Sequence, residues 1–235
     1  MNTLEPVLLK ELNSTDYESL INYRIRKILM ICSSYDAFIL EEDGQIEAQI
    51  YQEYIELNLS NPPKFIWVHT AAEARELLNT VVGIDMVMCM YNVTDKEVFK
   101  LASEMKVERP TLPFVLLTHF SKEVYRRISN MDTSAIDYMF SWHGNADLIV
   151  AIIKLFEDLK NADNDILEVG VQSILLVEDS VRYYSTYLPE LYRMVLRQSA
   201  EFLKETLNEQ QRKYMKRSRP KILLATNLDD AMYMY

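Results

Sequence analysis

Short apolar runs alternate with longer amphipathic segments over the first two thirds of the chain. Each run is continuous, which is typical of a strand that helices cover on both faces. The five runs lie at residues 27–32, 64–69, 84–90, 113–119 and 136–142. Five such strands, separated by helical patterns and short connections, predict a parallel sheet with helices on both faces and right-handed crossovers.

The segments between the runs carry helical periodicity. Their apolar residues recur three and four positions apart, over residues 46–55, 74–81, 98–105 and 148–156. Two of these helices are preceded by a capping-box pattern, with Thr70 three residues before Glu73 and Thr94 three residues before Glu97. In this pattern each side chain satisfies backbone N–H groups at the start of the helix.

The strand and helix pattern restarts near residue 173. Residues 173–180 predict a strand that ends in two carboxylates, and 181–218 predict one long helix or two stacked ones. Pro189 would kink a single helix, because it removes one backbone hydrogen bond. Residues 221–226 predict a further strand, and a helix begins after it.

These patterns predict four segments: a helical lead-in over 1–25, a first unit over 26–160, a linker over 161–172 and a shorter second unit over 173–235. The linker prediction depends on the polar sequence of residues 161–165. Two parallel strands are not stable alone. We therefore expect the second unit to cover its strands by pairing with another copy of the chain or by docking on its own long helix.

Composition and charge narrow the function classes. The chain has 235 residues, of which 49% are hydrophobic, so it is not a disordered tail. A net charge of -10 is opposite to that of a general nucleic-acid binder. No apolar run approaches the ~20 residues of a membrane span, and residues 1–20 do not resemble a signal peptide. We expect a cytoplasmic protein that binds neither nucleic acid nor membrane.

The numbers of cysteines and glycines argue against a disulfide-bonded protein, a cysteine metal site and a glycine-rich nucleotide-binding loop. The two cysteines, Cys32 and Cys89, indicate reduced and buried thiols rather than a disulfide framework or a metal site. Because both cysteines lie near the ends of predicted strands, the first and the third, a redox pair is a weaker alternative. With four glycines, the chain contains no glycine-rich phosphate loop.

An internal repeat links the two units. Residues 28–34 (ILMICSS) match residues 174–180 (ILLVEDS), and residues 67–74 match residues 223–231 with one residue of slack. The second unit thus repeats the start of the first.

On these residues the chain resembles the receiver domains of two-component response regulators, which have the flavodoxin-like (CheY-like) fold. The resemblance implies an acidic pair after the first strand that holds Mg²⁺, an Asp after the third strand that accepts phosphate, a Thr or Ser after the fourth and a Lys after the fifth. Mg²⁺ prefers carboxylate oxygens and water as ligands.

In the first unit the resemblance places these roles on residues that mostly lack the chemistry. The acidic pair falls on Cys32 and Ser33, the phosphoacceptor on Met90 and the lysine on Ser141. The hydroxyl is retained as Thr118, which we expect to bond to the backbone in the absence of a phosphate. The resemblance therefore implies a pseudo-receiver that cannot be phosphorylated.

The second unit keeps the acidic pair, as Glu178 and Asp179. No segment of this chain matches the strand that would carry its phosphoacceptor. We expect no bound cofactor, and Mg²⁺ only if residues beyond Tyr235 complete this unit. The alternative is that the two carboxylates only cap the following helix.

A further resemblance is to the N-terminal region of bacterial proteins related to phosphoenolpyruvate synthase and pyruvate phosphate dikinase, suggested by the insertion at residues 33–63. It implies a regulatory part of a larger phosphotransferase, although the chain carries no catalytic motif of those enzymes.

Three other groups of residues have a functional and a structural interpretation. His69, His119 and His143 follow predicted strands, where ligands bind in this architecture. The basic stretch 212–219 suits a helix C-terminus better than nucleic acid. Several tyrosines of the long helix indicate a packed or partner-binding face.

We therefore expect a non-catalytic signalling or regulatory module that contacts another protein or a second copy of itself. A small-molecule sensor is the remaining alternative, because Ser33, Met90, Thr118 and Ser141 would form a neutral crevice.

Overall fold

The computed structural model describes residues 20–33, 46–57, 59, 61–91, 98–119, 124, 126, 128, 131–204 and 217–235. The strands are β1 (Lys27–Ile31), β2 (Lys64–Val68), β3 (Met86–Met90), β4 (Phe114–Thr118), β5 (Tyr138–Ser141), β6 (Ser173–Val177) and β7 (Lys221–Ala225). The helices are α1 (Ile46–Glu56), α2 (Ala71–Thr80), α3 (Val98–Glu108), α4 (Ala146–Ala162), α5 (Val181–Lys204) and α6 (Leu228–Met234).

The first five strands form one parallel sheet in the order β2-β1-β3-β4-β5. This order, with helices between consecutive strands, is that of the flavodoxin-like doubly wound fold. The predicted fold class is confirmed, and each strand end lies within two residues of the predicted run.

Apolar side chains cover both faces of this sheet. Alternate residues of β3 show the pattern: Met86 and Met88 pack with α1 and α4, whereas Val87 and Cys89 pack with α2 and α3. A strand that is buried on both faces needs no polar alternation. This explains why the five strands were visible in the sequence as continuous apolar runs.

The first capping-box prediction is confirmed. Thr70 is the N-cap of α2, and its side chain accepts a hydrogen bond from the backbone N–H of Glu73. The Glu73 carboxylate in turn accepts from the N–H of His69 at 2.9 Å. The second predicted capping box, at Thr94 and Glu97, lies outside the described residues.

The second unit contains a separate two-stranded parallel sheet, in which β6 pairs with β7. The long helix α5 connects the two strands and contains Pro189 within its 24 residues. Residues 205–216, which the sequence assigns to the same helix, lie outside the described residues.

The linker prediction is wrong for residues 161–168. Helix α4 continues to Ala162, and a π-helical segment follows over Asp163–Glu168. Two of the polar residues in this stretch, Asn161 and Asp165, are buried and hydrogen-bonded rather than solvated. Asn161 bonds to the backbone of Tyr23, and Asp165 is completely buried.

The described end of the lead-in, residues 20–25, is not helical as predicted. Its backbone donors bond to side chains of distant residues instead of to preceding carbonyls. Ile25 N donates to Glu157 Oε1 at 3.1 Å, and Ile21 N donates to the Asp165 carboxylate. Residues 1–19 lie outside the described part of the chain.

Helix α4 of the first unit is the main cover of β7. Ile222 and Leu224 belong to the same apolar cluster as the α4 side chains, and both are completely buried. From the sequence, the long helix or another copy of the chain was expected to cover the strands of the second unit. Helix α4 was not expected there, because it was assigned to the first sheet alone, although nearly all of its faces are apolar.

Candidate functional site

The five positions that match the receiver site lie at the C-terminal ends of β1, β3, β4 and β5. They are Cys32, Ser33, Met90, Thr118 and Ser141. The register places Thr118 opposite Ser141 on adjacent strands. It also pairs Ile31 with Cys89, so Cys32 and Met90 follow on neighbouring strands. All five residues are buried, and their roles as degenerate site positions stay predictions.

The backbone around these positions is bonded within the fold. Cys32 N donates to Val68 O at 3.1 Å, and Trp142 N donates to Thr118 O at 3.0 Å. Ser141 N donates to the hydroxyl of Ser185 on α5 at 2.9 Å. The second unit therefore contributes directly to the end of β5.

The hydroxyl of Thr118 is an exception. Thr118 is 3% exposed, and its Oγ1 has no hydrogen-bond partner among the described residues. The expected bond to the backbone is absent there. A buried polar atom without a partner costs about 1–3 kcal/mol.

A small apolar cavity of about 10 Å³ lies next to the side chain of Met90. Met30, Phe65, Trp67 and Trp142 are among the side chains that line it. This volume corresponds to about one water-sized probe, which leaves no room for a larger ligand. The cavity does not support the sensor alternative.

The two cysteines lie on opposite faces of the sheet. Cys32 belongs to the cluster around α4, and Cys89 belongs to the cluster around α2 and α3. Neither cysteine forms a disulfide, and both are buried. Burial, and secondarily Cys32, raises the pKa of the Cys89 thiol, so it stays protonated at neutral pH. This placement supports the structural interpretation rather than a redox pair.

The three histidines do not converge. His119 and His143 are neighbours, with ring centroids 6.3 Å apart, and His143 Nε2 is 3.3 Å from the Ser141 hydroxyl. His69 follows β2, which lies at the other end of the sheet. Among the described residues, no three His, Cys, Asp or Glu side chains gather closely enough to hold a metal ion.

The acidic pair of the second unit lies at the N-terminus of α5. Glu178 Oε1 accepts a hydrogen bond from Ser180 N at 3.0 Å, while Asp179 is exposed. This bond fits the alternative in which the pair serves the helix start. A carboxylate near a helix N-terminus is favoured by the helix dipole.

A buried ionic network, which was not predicted from the sequence, lies at the junction of the two units. Its charged members have side chains less than a tenth exposed, and they pair as Lys154–Glu157, Asp158–Arg219 and Asp165–Lys221. A signal was present in the sequence. Lys154, Glu157, Asp158, Asn161 and Asp165 recur at helical spacing, which makes one polar stripe on an otherwise apolar helix.

Asp158 is the centre of this network. Its two carboxylate oxygens accept from both terminal nitrogens of Arg219, at 2.7 and 2.9 Å. Oδ2 also accepts from the Tyr192 hydroxyl at 2.9 Å and from Ile222 N at 3.0 Å. Asp158 on α4 thereby binds α5 and the start of β7. Bidentate arginine pairs of this kind are the stronger ion pairs in proteins.

Burial and charge act on the three cations of the network in different proportions. Burial lowers the pKa of Lys154, although Glu157 partly opposes it. Burial, followed by the charge of Arg219, lowers the pKa of Lys221. Burial also acts to lower the pKa of Arg219, but the charge and hydrogen bonds of Asp158 outweigh it and raise that pKa. Arg219 and Asp158 thus form the best-matched pair.

Side chains also cap the sheet edges that meet at the junction. On β5, the carbonyl of Met139 accepts from the Tyr184 hydroxyl, and Ser141 N donates to Ser185. On β7, the carbonyl of Leu224 accepts from the Tyr138 hydroxyl at 2.6 Å. Edge strands covered in this way are protected from pairing with other chains.

No protein-family model and no curated protein matches this chain. Solved structures of receiver domains are similar to it at low sequence identity. The response regulator TrrA of Thermotoga maritima, in complex with Mg²⁺ and BeF, is 18% identical with a TM-score of 0.42, and the match covers 55% of this chain and 96% of TrrA.

Two further receivers are similar at the same level. The signal receiver domain of an HD domain-containing protein from Pseudomonas fluorescens Pf-5 is 18% identical with a TM-score of 0.42, and the match covers 59% of this chain and 99% of that domain. The phosphorylated cyanobacterial phytochrome response regulator RcpA is 17% identical with a TM-score of 0.40, covering 57% and 92%. Within the described residues, no helix combines the length and apolarity of a membrane span.

Proposed function

We propose that this chain is a non-catalytic regulatory module that has a receiver-like scaffold, takes up no phosphoryl group in its first unit, and acts through protein contact. One observation carries the proposal. The ends of β1 and β3, where a phosphoryl group and Mg²⁺ would need carboxylates, hold the buried residues Cys32, Ser33 and Met90.

The burial of these side chains supports the proposal beyond their chemistry. A phosphoacceptor must be reached by its phosphodonor, and a thioether such as that of Met90 accepts no phosphoryl group. Trp142 follows β5 and is buried beside Met90 in the lining of the small cavity. The strand ends therefore hold buried, uncharged side chains, which do not favour a charged ligand.

The test is phosphorylation of the full chain with acetyl phosphate and Mg²⁺, followed by intact-mass measurement and mapping of any labelled residue. We expect no acid-labile or hydroxylamine-labile phosphoryl group on residues 26–160. A carboxyl-linked phosphoryl group there would overturn the proposal.

A reconstructed variant provides the positive control. The substitutions Cys32→Glu, Ser33→Asp, Met90→Asp and Ser141→Lys restore the receiver pattern. If this variant folds, as circular dichroism would show, phosphorylation at position 90 demonstrates that the assay detects a competent site. Met90→Asp alone is the milder version, which keeps the other buried residues in place.

The remaining functional expectations stay predictions. They include the place of this chain in a larger phosphoenolpyruvate synthase-like protein, the cytoplasmic location and the absence of nucleic-acid and membrane partners. The boundaries of the two units also stay predictions.

A further inference from the structure

The outer edge of β6 differs from the other sheet edges near the junction. In the parallel β6–β7 pair, Glu178 N donates to Ala225 O and Lys221 N donates to Gln172 O. Backbone groups alternate in direction along a strand. Those of Ser173, Leu175 and Val177 therefore point away from β7, and the described part of the chain supplies no hydrogen bond to them.

Among the described residues, this edge also lacks the features that usually protect an edge strand. β6 has the sequence SILLV, without a charged residue or a proline. Val177 is 55% exposed, and the three residues before it are only partly buried. By contrast, tyrosine and serine hydroxyls of the opposite unit cap the edges of β5 and β7. An uncharged, uncovered edge is a template for another strand.

Exposed apolar side chains continue onto the neighbouring helix. α6 packs on β6 and β7, and it leaves Leu228 73% and Met232 68% exposed. Helix α4 also covers this sheet through β7. The outer edge of β6 stays open among the described residues, and a sheet of three or more strands is more stable than one of two. The surface needs a partner that supplies a strand and apolar cover together.

We propose that the partner is a second copy of this chain, which pairs antiparallel with β6 through the same edge. A two-fold interface requires each surface to complement itself. With Leu175 opposite Leu175 of the second copy, Leu176 faces Ile174 and Val177 faces Ser173. The result is one four-stranded sheet in the order β7-β6-β6-β7.

The charges of the chain fit this register. Each chain carries a net charge of -10, so an interface between copies must keep carboxylates apart. In the proposed pairing, Glu178 lies opposite the neutral Gln172 and Asp179 lies opposite Val171. Directly opposed like charges destabilise strand pairs. This register avoids that cost, because no like charges face each other.

This inference rests on the proposed function, because both assume that the module acts by contacting a protein. The two are tested separately, because the phosphorylation experiment concerns the strand ends of the first unit. The cross-linking and sedimentation experiments concern self-pairing of β6, which lies in the second unit.

A cysteine cross-link tests the register. Leu175→Cys places two thiols directly opposite each other, at about 5.5 Å between Cα atoms, which a disulfide spans. Mild oxidation of the full chain should yield a covalent dimer. Ser173→Cys is the matched control on the same edge, because its partner in the register is Val177. It should cross-link only when combined with Val177→Cys.

Sedimentation and light scattering test the assembly without new thiols. The wild-type chain should run at twice 27.6 kDa. Ser173→Pro removes an outward N–H from an exposed position, and Leu175→Lys sets two ammonium groups against each other. Each should weaken the dimer at least tenfold with an unchanged circular dichroism spectrum. Met232→Lys, on α6 and away from the strand edge, is the charge control and should weaken it much less.

A wild-type chain that stays monomeric at concentrations of about 100 μM would overturn the proposal, because the dissociation constant would then be above ~100 μM, weaker than about −5.5 kcal/mol. Equal cross-linking by Leu175→Cys and Ser173→Cys would also overturn it, since it would indicate random collisions. A dimer unaffected by Ser173→Pro and Leu175→Lys would place the interface elsewhere and reject β6 as its site.

Discussion

The strand ends of the first unit and the junction between the units treat polar groups in opposite ways. The strand ends hold neutral, buried residues, and the Thr118 hydroxyl there has no partner among the described residues. The junction holds six charged side chains, each with an oppositely charged partner. In this chain the charged chemistry lies where the units meet, not where a receiver would carry out phosphoryl transfer.

This difference indicates what the two regions are built to do. A binding or catalytic centre keeps polar groups available to a ligand, whereas a structural network satisfies them internally. The junction belongs to the second kind, since Asp158 alone accepts four hydrogen bonds from three segments of the chain. The following experiments measure the contrast, beginning with the largest expected effect.

Alkaline pH should open the junction first. Burial raises the pKa of Tyr138, Tyr184 and Tyr192 above the usual value near 10. Smaller contributions come from Asp230 for Tyr138, from Tyr138 for Tyr184 and from Asp158 for Tyr192. Their stabilising contribution is complete below pH 10 and is lost as the pH rises through the raised folded-state values. Each hydroxyl donates a hydrogen bond at the junction, which a phenolate does not.

The measurement is a titration that follows phenolate absorbance and circular dichroism together. We expect a group of phenolates to form only as the protein unfolds, above pH 10. Ionisation of all the tyrosines before any structural change would contradict the burial of the junction.

Asp158→Ala should cost about 3–5 kcal/mol of unfolding free energy, because it leaves the Arg219 charge buried and unpaired. Asp147→Ala is the matched control. Asp147 also pairs with an arginine, Arg193, but at a partly exposed site, so its loss should cost about 1 kcal/mol or less. Denaturant unfolding measures both variants, and equal losses would remove the distinction between junction and surface.

The double substitution Asp158→Leu with Arg219→Met should recover about 1–3 kcal/mol of the loss caused by Asp158→Ala. It removes the buried charge that the single variant leaves unpaired. Recovery should be incomplete, because the Tyr192 hydroxyl and Ile222 N still lose their acceptor. Denaturant unfolding should therefore place the double variant between the wild type and Asp158→Ala.

Thr118→Val should raise the unfolding free energy by about 1 kcal/mol, since it removes a buried hydroxyl that lacks a described partner. Ser185→Ala is the comparison from the junction. Its hydroxyl accepts from Ser141 N and donates to Val181 O, so its loss should lower stability by about 1 kcal/mol. Thermal melts of the two variants should shift in opposite directions, and a destabilised Thr118→Val would show that the hydroxyl has a partner.

The sheet was predictable because its strands are buried on both faces and its helices are amphipathic. A run as short as residues 84–90 favours a covered strand over a buried helix, and the Thr70 cap follows from local spacing. The position of each candidate site residue followed from the strand ends. Local patterns were sufficient for all of these.

The junction was not predictable in the same way. Residues 161–165 are polar, and polarity alone indicates solvent. Asn161 and Asp165 are nevertheless buried, because they bond to partners far along the chain, Tyr23 for Asn161 and Lys221 for Asp165. The polar stripe on α4 indicated a buried network, but spacing within one helix does not identify the partners.

The sequence separation within the Asp158–Arg219 pair has a consequence during protein synthesis. The two residues are 61 positions apart, and ribosomes add about 5–20 residues per second. Asp158 on α4 is therefore synthesised about 3–12 seconds before Arg219, which neutralises its charge. A nascent chain of this protein therefore presents an acidic, apolar helix face to its surroundings, which is where we expect chaperones to bind it.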